Sequence, residues 1–290
     1  MADLVFLITG ASSGFGKHTT LEALKRGHKV IATARKASRL SELEAAGAVV
    51  LDLDVTAPEE ALDAQFKAAN DIYGKITHVI NCAGYILEGA VEEVSQAEMA
   101  ATFATNVFGA ANVSRAAAPY LRQAAADGNQ CAIAHFGSLG SWSSGPAVAL
   151  YCSTKFAVTG LTEGLAGELK PFGVDACVVE PGYFRTGFLN VGTDSVHRVR
   201  AARDLAVYDG TPAHEVRKGL EQYNNNQPGD VAKGARVIVD VLTKRGVAAG
   251  REIPVRLVLG SDCVEVIRQK IRETEKILEE WEAIARTTDY

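Results

Sequence analysis

The chain is short of everything that would staple, anchor or divide it. Its five cysteines, Cys82, Cys131, Cys152, Cys177 and Cys263, are odd in number, widely spread and contain no Cys-x-x-Cys. A disulfide framework and a zinc site are excluded as organising features, no metal is expected, and the pattern suits a reducing cytoplasm. Only eight of 290 residues are proline and none are clustered, so no Pro-rich linker separates parts of the chain. The first apolar run, Leu4 to Ile8, is far shorter than the ~20 residues a membrane helix needs, and it lacks the layout of a signal peptide. Neither charge dominates: the net charge is −5 with both signs interspersed, which gives no footprint for nucleic acid or an anionic membrane. No repeat or low-complexity tract is present. What remains is 47% hydrophobic content, enough core for one large α/β domain or two small ones.

Buried strands and helices alternate along the chain. Leu4 to Ile8 is a continuous apolar run ending in Thr9-Gly10, the pattern of a strand covered on both faces. A helix follows from Gly16 to Gly27, then strands at 29–34, 49–55, 78–81, 130–136 and 174–180. Helices are expected over 36–46, 58–73, 95–125 and 151–170. This rhythm predicts one doubly wound parallel sheet of about seven strands, with helices on both faces. The last strand is expected at 255–259. The segment 187–229 falls outside the rhythm and reads as an insertion that covers a site, a lid. Asp230 is placed to cap a helix reaching Leu242. Asp262 with Glu265 resembles a capping box opening a C-terminal helical extension, 261–286. Its apolar stripe at 264, 267, 271, 278, 281 and 285 is expected to dock on the domain or on a second subunit.

Thr9-Gly10-Ala11-Ser12-Ser13-Gly14-Phe15-Gly16 joins the first strand to the first helix. Glycines there let backbone approach a pyrophosphate, and the helix N-terminus behind them presents N–H groups and a positive dipole end. At the head of a βαβ series this is a dinucleotide site. Farther on, Tyr151 and Lys155 stand four apart, and Ser138 lies thirteen residues before the tyrosine. On a helix, positions i and i+4 share a face. A nearby ammonium favours a phenolate, which brings a tyrosine toward proton transfer near neutral pH. Alone, such a spacing belongs to any helix surface; its weight comes from the nucleotide turn upstream.

In order and spacing these motifs resemble those of the short-chain dehydrogenase/reductase family over roughly residues 4–190. The family's glycine-rich turn matches Thr9 to Gly16, and its acidic residue after the third strand matches Asp54, followed by Val55. Asn81-Cys82-Ala83-Gly84 matches the Asn-x-Ala-Gly segment, and Pro181-Gly182 the Pro-Gly after the sixth strand. The resemblance implies a catalytic Asn106, Ser138, Tyr151 and Lys155. It also implies a cofactor held by Gly10, Ser12, Ser13, Gly14, Phe15, Gly16, Arg35, Asp54, Val55, Asn81, Ala83, Gly84, Tyr151, Lys155, Pro181, Gly182, Phe184 and Thr186. Ser141 is a rival to Ser138 for the serine role. By the same resemblance Tyr151 is the general acid, Ser138 orients the carbonyl oxygen, and Lys155 lowers the tyrosine pKa and binds the nicotinamide ribose. Asn106 would hold a water that links Lys155 to solvent.

Members that prefer NAD usually carry Asp where this chain has Ala34. Here Ala34 is neutral and Arg35 follows, a fork of donors suited to a phosphate, with Lys36 and Arg39 nearby. The expectation is therefore NADP(H), although Ser13 stands where some NADP-binding members place a basic residue. Lys17 is expected to be exposed and not a phosphate ligand. The function expected is NADPH-dependent reduction of a ketone or aldehyde. The alternatives are an NADP-dependent secondary-alcohol dehydrogenase of steroid or retinoid type, or a non-catalytic NADP-binding regulator. A nucleotide-sugar epimerase would carry a different glycine spacing. Leu139, Trp142, Tyr183 and Phe188 suggest a pocket for an apolar or aromatic small molecule, and the resemblance implies a homodimer or homotetramer.

Overall fold

The computed structural model describes residues 4–190 and 197–290. The first half runs β1 (Val5–Thr9), α1 (Gly14–Lys25), β2 (Lys29–Ala34), α2 (Ser41–Ala45), β3 (Val49–Asp52), α3 (Glu59–Tyr73), β4 (His78–Asn81), β5 (Ile86–Glu88), α4 (Gln96–Phe103) and α5 (Gly109–Ala126). The second runs β6 (Cys131–Phe136), α6 (Ala149–Leu169), β7 (Val174–Pro181), β8 (Arg198–Arg200), α7 (Pro212–Tyr223), α8 (Val231–Leu242), β9 (Arg256–Leu259) and α9 (Ser261–Ala285). Seven strands form one sheet in the order β3-β2-β1-β4-β6-β7-β9, parallel at every pairing. The order reverses between β1 and β4, which leaves a crevice beyond their C-terminal ends.

β1 shows why its residues are all apolar. Leu4, Phe6 and Ile8 pack toward α1 and α8 with Ala23, Ile238 and Leu242, while Val5 and Leu7 pack toward α3 and α5 with Phe66, Val113 and Leu121. Side chains alternate across a strand, so a sheet covered on both faces needs an unbroken apolar run.

Several elements depart from the sequence-based expectation. The third strand stops at Asp52 because Asp54 Oδ1 turns back to accept from Thr56 N and Oγ1 at 2.9 and 2.7 Å. The long helix expected over 95–125 is interrupted by a π-helical turn, Ala104–Phe108, between α4 and α5. Asp230 caps α8 as expected, accepting from Ala232 N and Lys233 N at 2.9 and 3.1 Å. Asp262 does not cap α9. Gly260, at φ +99°, is the residue before the helix, and Asp262 Oδ2 instead accepts from Tyr183 N at 2.6 Å. The apolar stripe of α9 docks on the body only over its first turns, and residues 271–285 are all exposed.

Within 187–229, residues 191–196 lie outside those described. Of the rest, β8 pairs in parallel with β5, and α7 follows. No helix among the described residues is long and apolar enough to cross a membrane.

Candidate active site

A cavity of about 1320 Å³ opens beyond the C-terminal ends of β1, β4, β6 and β7. Its floor is the turn from Gly10 to Gly16. A Cβ on Gly10 would meet the backbone of Cys82 and Ala83 at 2.8 Å, and one on Gly16 would collide with the carbonyl oxygen of Gly10. These two positions therefore require glycine. Gly14, at φ +50°, opens α1 and lies against Thr186, whose side chain a Cβ there would meet at 3.8 Å. Ser13 precedes α1 without a side-chain cap bond, and the first turn carries no acidic residue, so the positive end of the helix faces the cavity. Beneath the turn, Phe15 packs on Phe136 and Phe184 with ring centroids 5.2 and 5.0 Å apart.

At the outer rim, beyond β2, stand Arg35, Lys36 and Arg39, all lining the cavity. Among the described residues none of the three has a carboxylate partner. Lys17, by contrast, pairs with Glu42 at 2.7 Å, outside the cavity. Asp54 and Val55 line the same end, as do Ser12, Ala83 and Gly84.

Farther along, the cavity wall is built from α6 and the loop after β6. Tyr151 and Lys155 lie one turn apart on α6, both buried, with the ammonium 5.6 Å from the centre of the phenol ring. Ser138 Oγ accepts from Gly140 N at 3.1 Å and hydrogen-bonds the Tyr151 side chain. Burial raises the Tyr151 pKa above its ordinary value, and the Ser138 bond offsets only part of that. The Lys155 ammonium is pushed down to about 8 by burial and donates to the Phe136 carbonyl at 2.8 Å. The rival Ser141 is structural: its Oγ accepts from Ser138 N and donates to the Lys155 carbonyl, so it holds the Ser138 loop against α6.

Asn106 sits on the π-helical turn, buried and off the cavity wall. Its Oδ1 accepts from Tyr85 N at 3.1 Å; its Nδ2 donates to Tyr85 O at 2.9 Å and to Thr154 Oγ1 at 3.1 Å. Both donors and one acceptor site are thus taken by protein groups. Asn106 ties the loop after β4 to the helix that carries Tyr151. Asn81 also lies behind the wall, where its Oδ1 accepts from Thr9 Oγ1 at 2.5 Å. Trp142, expected in the pocket, is not there. Its indole donates to the buried Glu180 at 2.8 Å and carries the Arg256 guanidinium 3.6 Å above its ring.

The remaining wall comes from the segment after β7. Leu139, Tyr183 and Phe188 line it with Leu189, Val216 and Leu220. Thr186 accepts from Phe188 N, and Asp262 holds the Pro181-Gly182-Tyr183 turn. Buried charge fastens this wall to the body: Arg198 Nε donates to Glu88 at 2.5 Å, and Arg217 pairs with the buried Glu93.

A family model described as short chain dehydrogenase matches residues 4–195. The chain belongs to that family of oxidoreductases. Among its relatives, Oxidoreductase calM of Penicillium decumbens is 35% identical over 93% of this chain and 88% of its own. The 3-ketodihydrosphingosine reductase of Bacteroides thetaiotaomicron is 38% identical over 65% of this chain and 66% of its own. The crystal structure of a short-chain dehydrogenase from Streptomyces avermitilis superposes with a TM-score of 0.86 at 33% identity, covering 100% of both chains.

Two residues of this short-chain dehydrogenase that line the cavity escaped the sequence reading. His197 Nε2 lies 2.8 Å from Ser13 Oγ, and its pKa is lowered by burial and then by Arg39 and Arg35. Gln227 is 1% exposed, and among the described residues neither polar atom of its side-chain amide has a hydrogen-bond partner. Both sit in a segment without periodicity, and only the fold brings them to the nucleotide turn and the substrate wall.

Proposed function

We propose that this protein reduces a ketone or aldehyde to an alcohol with NADPH. The observation that carries the reading is Tyr151: a buried phenol on the cavity wall, hydrogen-bonded by Ser138 and with its pKa raised, is protonated at neutral pH and therefore an acid. The cavity suits a dinucleotide, with glycines where backbone must come close and a helix N-terminus facing in. Arg35, Lys36 and Arg39 supply three uncommitted cations beyond β2, where Ala34 offers no carboxylate to repel a 2′-phosphate. That arrangement supports NADP(H) over NAD(H). Arg35, Asp54 and Val55 would hold the adenosine end, Gly10 to Gly16 the pyrophosphate, and Pro181, Gly182, Phe184 and Thr186 the nicotinamide end.

The cofactor, when bound, supplies a hydride to the carbonyl carbon. As charge gathers on the oxygen, the Tyr151 hydroxyl transfers its proton there, and Ser138 donates a hydrogen bond that fixes the oxygen in place. The Lys155 ammonium, close to its own pKa, faces the phenol and stabilises the tyrosinate that the transfer leaves. The segment 187–229 acts as a lid, and its apolar residues exclude water and select an apolar substrate. The name of the Bacteroides relative, a reductase of a keto compound, supports the reductive direction.

Tyr151→Phe is expected to lower turnover about 10²–10⁴-fold while NADPH binding, followed by nicotinamide fluorescence, is unchanged. A variant that keeps near wild-type turnover against a panel of apolar ketones would overturn the assignment.

A further inference from the structure

We infer that Glu180 is a positioning residue for the reaction: through Trp142, its buried carboxylate sets the turn that presents Ser138 to Tyr151. The inference rests on the roles given to Ser138 and Tyr151 above. Glu180 is the last residue but one of β7, is 0% exposed and does not line the cavity. It reaches the reacting atoms only through its neighbours. Donors from three elements meet on its carboxylate. Trp142 Nε1, from the turn after β6, donates to Oε2 at 2.8 Å, and Thr159 Oγ1, from α6, donates to Oε1 at 3.1 Å. Arg256, from β9, donates to Oε1 through Nη2 at 2.7 Å and lies 3.1 Å from Oε2 through Nε. The Glu180 carbonyl accepts from Cys263 Sγ at 3.4 Å, at the start of α9.

Ser138 opens a single 3-10 turn, Leu139–Ser141, and Trp142 closes it by donating its backbone N–H to the Leu139 carbonyl at 3.0 Å. Glu180 meets both ends of that turn. At the entry, a Cβ on Gly137 would lie 3.1 Å from Glu180 Cγ, so the chain enters flat against β7. At the exit, the carboxylate holds the indole N–H, and the Arg256 guanidinium 3.6 Å above the ring fixes its plane. Ser138 lies between these two points, with its Oγ on the Tyr151 side chain. Exchanging a buried ion pair for apolar side chains of similar volume is often neutral or stabilising, so stability is a weak reason for a carboxylate here. Direction is a stronger one, because only an acceptor at this place can hold the indole and only a charged one can also hold Arg256. A displacement of about 1 Å at a reacting group can slow a reaction 10²-fold, so the clamp matters for rate out of proportion to its single hydrogen bond.

The test uses the full chain with NADPH and a panel of apolar ketones such as acetophenone. Trp142→Phe keeps a ring under Arg256 and removes only the N–H. It should lower kcat about tenfold and leave the KM for NADPH unchanged. Thr159→Val removes a different donor from the same carboxylate, one that does not touch the Ser138 turn, and should melt like Trp142→Phe while keeping the wild-type kcat. Ser138→Ala should be slower than Trp142→Phe, by about 10²-fold relative to wild type, and adding Trp142→Phe to it should slow it no further, because the indole acts through the serine. A crystal structure of Trp142→Phe should show the Ser138–Tyr151 hydrogen bond lengthened or broken. An unchanged bond there would overturn the inference whether or not a ketone is turned over. So would wild-type kcat in Trp142→Phe, an equal loss of kcat in Thr159→Val, or a full additional loss in the double variant. Wild-type turnover in both Ser138→Ala and Tyr151→Phe would instead overturn the reaction assigned to the cavity.

Discussion

One wall of the cavity is made of backbone and the other of side chains. On the body side, the turn from Gly10 to Gly16 and the strand ends place N–H groups where only glycine fits, and the sheet beneath holds them. On the opposite side, residues 183–190 and 197–227 reach their place through the Glu88–Arg198 and Glu93–Arg217 pairs and a short β5–β8 ladder. Parallel strands fix backbone cooperatively with the whole core. Ion pairs fix a segment one contact at a time and leave it able to open below the global unfolding free energy. The first arrangement suits a cofactor whose shape is constant, the second a substrate that must enter and leave.

Substitutions that strike each wall in its own terms should break this contrast. Gly16→Val forces a side chain into the Gly10 carbonyl and should cost about 4 kcal/mol or more, the range of exceptional substitutions; thermal melts with and without NADPH would read it as loss of both stability and cofactor-induced stabilisation. Arg198→Met leaves the buried Glu88 carboxylate with only the longer Arg200 contact at 3.6 Å and should cost about 3 kcal/mol, felt chiefly as local opening. Hydrogen exchange should rise across β5, β8 and α7 while exchange in β1 and β4 stays slow; uniform loss of protection would remove the distinction between the walls. Arg35→Ala with Arg39→Ala should weaken NADPH binding about 10–100-fold through lost charge-assisted bonds and leave NADH binding nearly unchanged. Equal losses for both would take the phosphate away from this rim.

The pH dependence is the mildest probe. Lys155, at about 8 in the folded chain against 10.5 unperturbed, loses its charge as pH rises through 8. Turnover should then fall by up to tenfold per pH unit above 8, because Tyr151 stays protonated there. Between pH 8 and 10.5 the unfolded chain holds the proton that the native lysine has released, so stability toward urea should rise over that window. A turnover profile flat to pH 10 would take Lys155 out of the reaction.

The contrast also explains what could be read from the chain beforehand. The backbone wall is written in local patterns: an apolar run ending in Thr9-Gly10, glycines at fixed steps, and Tyr151 and Lys155 one turn apart. The strands at 78–81 and 174–180 and the Asp230 cap followed the same logic. The side-chain wall is assembled by contacts between residues far apart in sequence, so His197 beside Ser13 and Gln227 at the cavity had no local signal. Trp142 misled because nearness in sequence to Ser138 says nothing about which side of the loop the indole takes; the buried Glu180 and Arg256 drew it away. Asp262 was read by local spacing as a cap, and the fold gave it the Tyr183 amide instead.

The π-helical turn at Ala104–Phe108 has a consequence for how this site tolerates change in length. A turn of that kind holds one residue more than an α-helical turn between the same neighbours. Deleting a single residue there would let α4 run into α5 as one regular, better-bonded helix. Each residue of an α-helix turns the chain by about 100°, so the same deletion would swing Asn106 away from Tyr85 and Thr154. The helix would be more regular and the loop after β4 would lose its clamp, so at this point the exact number of residues, apart from their identity, is part of the active site.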